Sequence, residues 1–364
     1  MSVNQKAAIQ ELVFAFPGDL MTPTGGYAYD RRIIQGLQQL GWNVHLLSLG
    51  DGFPLPSPDC VARARQLLLD LPLNKPVVMD GLALGVLPEV VAALAERNPV
   101  IALVHHPLAL ESGLSSAQSA AFKASESQAL QSVRQVIANS PSTARDLMTL
   151  FDIPLQRIEI VYPGTDRITP ASHVARRSHD SEGPFHFLSV GSIIPRKGYR
   201  LLLQAMHALK SLPWTLSIVG DTTRDFSEYQ RLQNDIALFA LEDRVHLLGA
   251  ISDDELKALY EKADAFVLAS MFEGYGMAYA EAMVYGLPVI GTTGGAIADT
   301  VPHDAGLLVK PGDLTGLVDA CRRLMQDREC YTHLSLGAAS AGARLPTWTE
   351  SVDRFASIVS RFTS

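Results

Sequence analysis

Residues 270–295 read SMFEGYGMAYAEAMVYGLPVIGTTGG. Two carboxylates, Glu273 and Glu281, stand around a turn that contains Gly274 and Gly276. Ala278, Ala280, Ala282 and Met283 then favour helix. The glycines allow a positive φ or a close approach of backbone to ligand. A turn feeding a helix aims unpaired N–H groups outward, which suits phosphate. A carboxylate just before such a turn is out of place in a site that binds only anions. It reads better as a hydrogen-bond acceptor for hydroxyls, as on a sugar. A short apolar strand over 288–291 and a second glycine pair, Gly294 and Gly295, close the stretch.

Outward from this stretch the chain keeps one rhythm, short apolar runs alternating with longer helical patterns. Strands are expected over 12–16, 43–49, 77–79, 100–104, 135–138 and 158–161. After Gly183 the rhythm restarts with strands over 185–190, 215–219, 245–248, 265–268, 288–291 and 306–308. Helices are expected between them, over 27–40, 198–211, 253–263 and 314–326 among others. Strands that are apolar throughout, without alternation, belong to parallel sheets covered on both faces. The polar stretch 166–184, DRITPASHVARRSHDSEGP, has the composition of a linker. The simplest architecture is α/β, with two doubly wound parallel-sheet domains facing across a cleft. A last helix is expected within 345–364, with Trp348, Val352, Phe355 and Val359 on one side.

Size and composition agree with two domains. The chain has 364 residues, 47% of them apolar and 19% charged. A net charge of −8 leaves no basic excess for nucleic acid. Cys60, Cys321 and Cys330 form no CxxC or Cys/His cluster, so neither a disulfide framework nor a zinc site is expected. The opening MSVNQKAAIQEL lacks the basic start and apolar run of a signal peptide, and no apolar run approaches the length of a membrane span. The expectation is a soluble, cytoplasmic protein.

Ligands of open parallel sheets sit beyond the carboxyl ends of the strands, and the candidate chemistry falls there. Strand 12–16 runs into PGDLMTPTGGYAYD, where Gly25 and Gly26 beside a helix start could cradle a phosphate. The same glycines could serve only turn geometry. The loop is neither GxGxxG nor a Walker A sequence. Strand 185–190 ends in GSIIPRKGYR, with Arg196 and Lys197 beyond Gly191. Two fixed cations there match a diphosphate, Arg forking onto oxygens and Lys acting as a point charge. A solvated basic pair before a helix is the plainer reading.

Strand 100–104 ends in His105 and His106. A histidine at that position can hydrogen-bond a hydroxyl in its neutral form. Adjacent histidines point apart on an extended backbone, which weighs against zinc. Glu273 and Glu281 also raise a glycosidase pair, whose carboxyls lie about 5 to 9.5 Å apart. Eight residues of helix would separate them by about 12 Å of rise, which counts against it. Ser252 to Glu255, SDDE, reads as a helix-capping signal rather than a DxD metal site. The stretch 115–133 reads as an Ala/Ser-rich helix with few cations, unlike a membrane-surface helix.

EGYGMAYAEAM resembles the Glu-x7-Glu motif of retaining glycosyltransferases of family 4, which have the GT-B fold of two Rossmann-like domains. The resemblance extends over TGGY, VHH, VGSIIPRKG, LSIVGD, VHLLGAISDDELKALYEKADAFVLAS, GLPVIGTTGGAIADTV and GLLVKPGD. It is most specific in the C-terminal half. PGTD at 163–166 departs from it, since relatives usually carry an Asn-Gly pair there.

The resemblance implies an N-terminal acceptor-side domain over 1–170, a donor domain over 171–345 and a helix over 346–364 that crosses back to the first domain. It implies that Glu281 binds the ribose hydroxyls of a nucleotide diphosphate sugar and that Glu273 contacts the sugar hydroxyls. Backbone N–H groups of Tyr275, Gly276 and Met277 would meet sugar and phosphates. Arg196 and Lys197, beside Gly191, would neutralise the diphosphate. Gly25 and Gly26 would lie against the phosphates, and His105 near the sugar. His106 has no counterpart.

The implied reaction is transfer of a hexosyl group from a UDP- or GDP-linked donor to a hydroxyl of a soluble small molecule or glycan, with retention. No cofactor or metal ion is expected, and the chain would act as monomer or homodimer. A nucleotide-sugar epimerase, a glycosyl phosphorylase on the same fold and a non-catalytic sugar-binding protein are the alternatives.

Overall fold

The apolar runs form twelve strands in two six-stranded parallel sheets. The computed structural model describes residues 10–111, 113–168 and 183–363. The first nine residues and most of the expected linker, 169–182, lie outside the described residues. The chain divides into two compact units. The first takes in the described chain up to Thr22, Gly26–Gly164, and the chain from Trp348 on. The second takes in Pro23–Gly25 and Thr165–Thr347.

In the first unit β1 (Glu11–Phe16), α1 (Gly25–Gln39), β2 (Asn43–Ser48), α2 (Pro58–Leu69), β3 (Val77–Asp80), α3 (Gly81–Leu84) and α4 (Pro88–Ala95) follow in order. Next come β4 (Val100–Val104), α5 (Ser116–Ser132), β5 (Gln135–Ala138), α6 (Pro141–Phe151) and β6 (Ile158–Ile160). The sheet order is β2-β1-β3-β4-β5-β6. The chain therefore leaves β1 towards one side and returns for β3 on the other, so the order reverses between β1 and β3. Every residue of β3, β4 and β5 is buried, which is why those strands are apolar apart from Asp80 at the end of β3 and Gln135 at the start of β5. Each such Val, Leu or Ile contributes roughly 1.5–3 kcal/mol by leaving water.

The second unit repeats the plan. It runs β7 (Phe185–Val190), α7 (Tyr199–Ala208), β8 (Trp214–Val219), α8 (Phe226–Leu238), β9 (Val245–Gly249) and α9 (Asp253–Lys262). Then follow β10 (Ala265–Val267), α10 (Met277–Val284), β11 (Val289–Thr292), α11 (Ile297–Thr300), β12 (Gly306–Val309), α12 (Leu314–Gln326) and α13 (Arg328–Arg344). The order β12-β11-β10-β7-β8-β9 reverses between β7 and β10. Ser252 and Glu255 close a reciprocal capping box on α9, as the SDDE signal predicts, and Ser115 and Gln118 do the same on α5.

The last helix, α14 (Trp348–Val359), belongs to the first unit. It buries Val352, Phe355, Ile358 and Val359. It lies so close to α1 that a Cβ on Gly36 would stand 2.3 Å from Val352 Cγ2. Tyr29 meets the Trp348 ring edge-on at 6.0 Å, and the Arg32 guanidinium lies 5.1 Å from the Trp348 ring centre. The PGTD departure becomes a short bridge in the second unit: Thr165 pairs with Thr347 and its N–H donates to Pro346 O at 2.8 Å.

Candidate active site

In the second unit the candidate residues Arg196, Lys197 and Glu273 gather where the strand order reverses, beyond the ends of β7 and β10. This is the crevice that open α/β sheets use for ligands. β7 ends at Val190, and Gly191 turns the chain towards a 3-10 turn, Pro195–Lys197, that carries both cations. The Tyr199 hydroxyl donates to Gly191 O at 2.7 Å and fixes this loop from beneath. Gly198 then takes a left-handed φ of 69°, and a Cβ on it would stand 2.0 Å from Ala269 O. Only glycine lets the loop after β7 press so closely on the chain leaving β10.

That close approach brings Arg196 and Lys197 to Glu273. The Lys197 ammonium donates to Glu273 Oε1 at 2.7 Å, and the Ser270 hydroxyl donates to the same oxygen at 2.6 Å. Arg196 Nη1 donates to Phe272 O at 2.6 Å and to Glu273 Oε2 at 3.4 Å. Both Glu273 oxygens are thus engaged by protein groups, and the carboxylate and the two cations form one cluster rather than separate grips. Burial pushes the Glu273 carboxyl up. The charges of Lys197 and Arg196 and the hydrogen bonds from Lys197 and Ser270 outweigh burial and hold it below its ordinary value. With one anion between two cations the cluster carries a net positive charge.

The glycine pair of the opening stretch ties this loop down. Glu273 N donates to Gly294 O at 3.3 Å and Ala296 N to Glu273 O at 2.8 Å. A Cβ on Gly294 would stand 2.2 Å from Met271 O, so the two segments lie backbone to backbone. Gly276, left-handed at φ 92°, turns the chain into α10, whose first residue is Met277. The first N–H groups of that helix have no partner within it. Tyr275 is buried and its carbonyl accepts from Thr300 Oγ1 at 2.5 Å.

Glu281 lies on α10 and takes no part in the cation cluster. Its Oε2 accepts from the Tyr260 hydroxyl at 3.0 Å, and Tyr260 stacks on Tyr285 with ring centres 5.0 Å apart. Tyr260 is buried, and burial together with the Glu281 charge holds its hydroxyl well above its ordinary value, so it remains a donor.

In the first unit His105 follows β4, and a different cluster surrounds it. Its Nε2 lies 2.9 Å from Asp30 Oδ1 and 3.8 Å from Asp80 Oδ2. Asp30 sits on the buried stripe of α1 with Tyr29, Ile33, Ile34 and Leu37. Asp80 ends β3 and caps α3 through Leu82 N at 2.7 Å. Gly26 backs the ring: a Cβ there would lie 3.3 Å from His105 Cδ2. Gly25 opens α1. His106 turns to other company, with Nε2 3.9 Å from Glu111 Oε2. Burial pushes His105 down, but the charge and hydrogen bond of Asp30 and the charge of Asp80 outweigh it and raise its pKa. The two acids thus favour the charged form of the ring over the neutral one. Asp80 is pushed up to about 7, by burial first and then by the Asp30 charge.

The sequence reading missed Asp30, Asp80, Ser270 and Tyr260. Two signals for the acids were present: a charged residue on the apolar stripe of α1, and an acid closing the apolar strand VVMD. Asp30, Asp80 and His105 are also the one group of three or more His, Cys, Asp or Glu among the described residues spaced so that it could hold a metal ion.

Two six-stranded parallel sheets, each with a reversal in strand order, define the GT-B class of fold. Sucrose-phosphate synthase from Thermosynechococcus elongatus superposes with a TM-score of 0.79 at 20% identity, covering 96% of this chain and 98% of that one. Anabaena HepE in complex with UDP-glucose superposes at 0.74 and 19% identity, covering 96% and 100%. The family model for Glycosyltransferase Family 4 matches residues 25–167, and that for Glycosyl transferases group 1 matches residues 173–340. The chain belongs to this family, the group 1, family 4 glycosyltransferases. The D-inositol 3-phosphate glycosyltransferase of Pseudarthrobacter chlorophenolicus is 31% identical over 225 residues, 59% of this chain and 53% of that protein. The chain spans about half the length of the curated relatives it matches first. Among the described residues no helix is long and apolar enough to cross a membrane.

Proposed function

We propose that the protein is a retaining hexosyltransferase that moves a sugar from a UDP- or GDP-linked donor to a hydroxyl of a soluble small molecule or glycan. One observation carries the reading: Arg196, Lys197 and Glu273 converge at the reversal point of the second sheet with a net positive charge. A diphosphate is the anion that such a pair of fixed cations at a strand end suits. The UDP-glucose complex of HepE supports a UDP donor. The donor is assigned to the second unit and the acceptor to the first.

In the reaction the bond from sugar C1 to the diphosphate oxygen breaks. The acceptor oxygen bonds to C1 on the same face, and its proton passes to the departing phosphate. Negative charge grows on that phosphate, and Arg196, Lys197 and the first N–H groups of α10 oppose it. The chemistry so described requires no metal ion. Glu281, oriented by Tyr260, accepts from ribose hydroxyls. Glu273 is assigned to the donor sugar, and His105 to a ligand oxygen in the first unit. A cytoplasmic setting belongs to the same proposal and is supported by three free cysteines.

A thermal-shift screen of nucleoside diphosphates and their sugars tests donor binding, since a ligand held only by the folded state raises Tm. The Arg196→Ala, Lys197→Ala double variant is expected to lose that shift and at least about a thousandfold in turnover. Its circular dichroism is expected to stay unchanged. Full turnover in the double variant, or stabilisation by free sugar and by no nucleotide, overturns the reading.

A further inference from the structure

The cluster of Asp30, Asp80 and His105 has more acid than its neighbourhood can neutralise. Fully ionised it carries two negative charges against one positive. Asp30 is inaccessible to solvent and Asp80 nearly so. The charged groups that face the imidazole are Asp30 from α1 and Asp80 from the end of β3. The Tyr29 ring packs edge-on at 5.2 Å, and its hydroxyl is held protonated by burial. Among the described residues no cation of Lys or Arg pairs with either acid.

Two consequences follow. Below about pH 7 a proton is held on Asp80, by burial first and then by the Asp30 charge, and Asp30 Oδ2 is buried without a hydrogen-bond partner. The remaining charge of Asp30 holds the second proton on the imidazole. Nε2 of His105 is committed to Asp30, while Nδ1 makes no hydrogen bond to any described residue.

We propose that Asp30 and Asp80 are positioning residues that lock His105 as a cation, so that its Nδ1–H is a charged hydrogen-bond donor for an oxygen of a bound ligand. The ligand class is a polyhydroxylated or anionic oxygen compound, since a cationic N–H binds such oxygens more strongly than a neutral one. The assignment of that oxygen to a transferred sugar or its acceptor rests on the hexosyltransferase reading. The lock itself does not, because it is set by three side chains within one unit.

The test separates the two. Long-range 1H–15N correlation spectra of the 15N-labelled protein report the protonation of each ring nitrogen, and His105→Gln assigns the signals. Wild-type His105 is expected to keep the imidazolium pattern to a higher pH than an ordinary histidine does. In Asp30→Asn the midpoint is expected to fall by at least about one pH unit, tenfold in proton affinity. Asp80→Asn is expected to lower it by less, and it stands in as the test should Asp30→Asn fail to fold. A wild-type midpoint at or below that of an ordinary histidine, or unchanged midpoints in both variants, overturns the lock. Selective broadening of the His105 signals by stoichiometric Mn2+ also overturns it, by giving the trio to a cation.

Steady-state transfer then reads the use of the donor. KM of Asp30→Asn is expected to rise as pH passes its lowered His105 midpoint and to return near the wild-type value at pH 6. A pH-independent KM alongside a shifted midpoint leaves the lock standing and removes its role in binding. Absence of any transfer activity in the wild type sinks only the hexosyltransferase reading.

Discussion

The two units carry charge clusters in equivalent places, at the point where each sheet reverses its strand order, and the clusters have opposite balances. In the second unit one carboxylate, Glu273, stands between Lys197 and Arg196. In the first, one imidazole, His105, stands between Asp30 and Asp80. Burial is common to both, and the charge of the partners decides whether it is overcome. Two cations overcome the desolvation of Glu273 and hold its carboxyl below its ordinary value, whereas at Asp80 burial, reinforced by the Asp30 charge, wins and pushes it up to about 7. A surplus of fixed positive charge suits a diphosphate; a surplus of acid stores protons. The doubly wound topology offers the same crevice twice, and a few side chains at strand ends set what each can hold.

Glu273→Gln strikes this contrast hardest. It removes the counter-charge of two largely buried cations, and breaking a buried pair typically costs about 3–5 kcal/mol. The folded pKa of Glu273 lies below its ordinary value near 4.5, so its contribution is complete above that value. It is lost as pH falls through the lower folded pKa. Urea denaturation is therefore expected to show the full deficit at pH 7 and a narrowing gap towards pH 3. A gap that stays constant with pH would mean that charge pairing is not what holds the loop.

Asp80→Asn sharpens the other side. The folded pKa of Asp80, about 7, lies above its ordinary 3.8. Its neutral form is thus favoured by folding. That contribution is complete below about pH 4 and is lost as pH rises through 7, the opposite sense to Glu273. Asparagine cannot titrate, so the variant is expected to lack a fall in stability on the order of 3 kcal/mol between pH 4 and 7 that the wild type shows. Parallel pH profiles for the two proteins would place the wild-type proton elsewhere in the cluster.

How much of this was legible in the sequence follows from the range of the interactions. All twelve strands were: inner strands such as VIALV are apolar because both faces are covered, and the edge strands NVHLLS and VHLLG, though partly exposed, keep a short apolar run. Arg196, Lys197 and Glu273 were individually visible, since each sits in a short glycine-marked segment after a strand. Their pairing was not, because it depends on Gly198 bringing the loop after β7 against Ala269, 71 positions along the chain. Asp30 and Asp80 were hidden for the same reason. One lies in a helix and the other closes a strand, and they meet only because β3 lies between β1 and β4, with Asp80 opposite Leu103. The capping box at Ser252 was legible because it closes within four residues; the one at Ser115, equally local, was not read.

The smallest expected effect concerns the one acid that neither cluster contains. Glu281 accepts from a neutral donor, the Tyr260 hydroxyl, at 3.0 Å. Tyr260→Phe keeps the ring stacked on Tyr285 and removes that hydrogen bond together with the longer one to Ala278 O at 3.5 Å. A hydrogen bond to a charged group is worth about 1.5–3 kcal/mol, and an accessible carboxylate recovers part of this from water. The net change should then be about 1 kcal/mol, a fivefold to tenfold weaker binding of a nucleoside diphosphate by calorimetry. Because Glu281 is assigned to the ribose and stands apart from the departing phosphate, KM for the donor should rise by that factor with kcat nearly unchanged. A fall in kcat at constant KM would instead couple Glu281 to the charge that develops at Arg196 and Lys197, and would merge the grip on the nucleotide with the cluster that serves the chemistry.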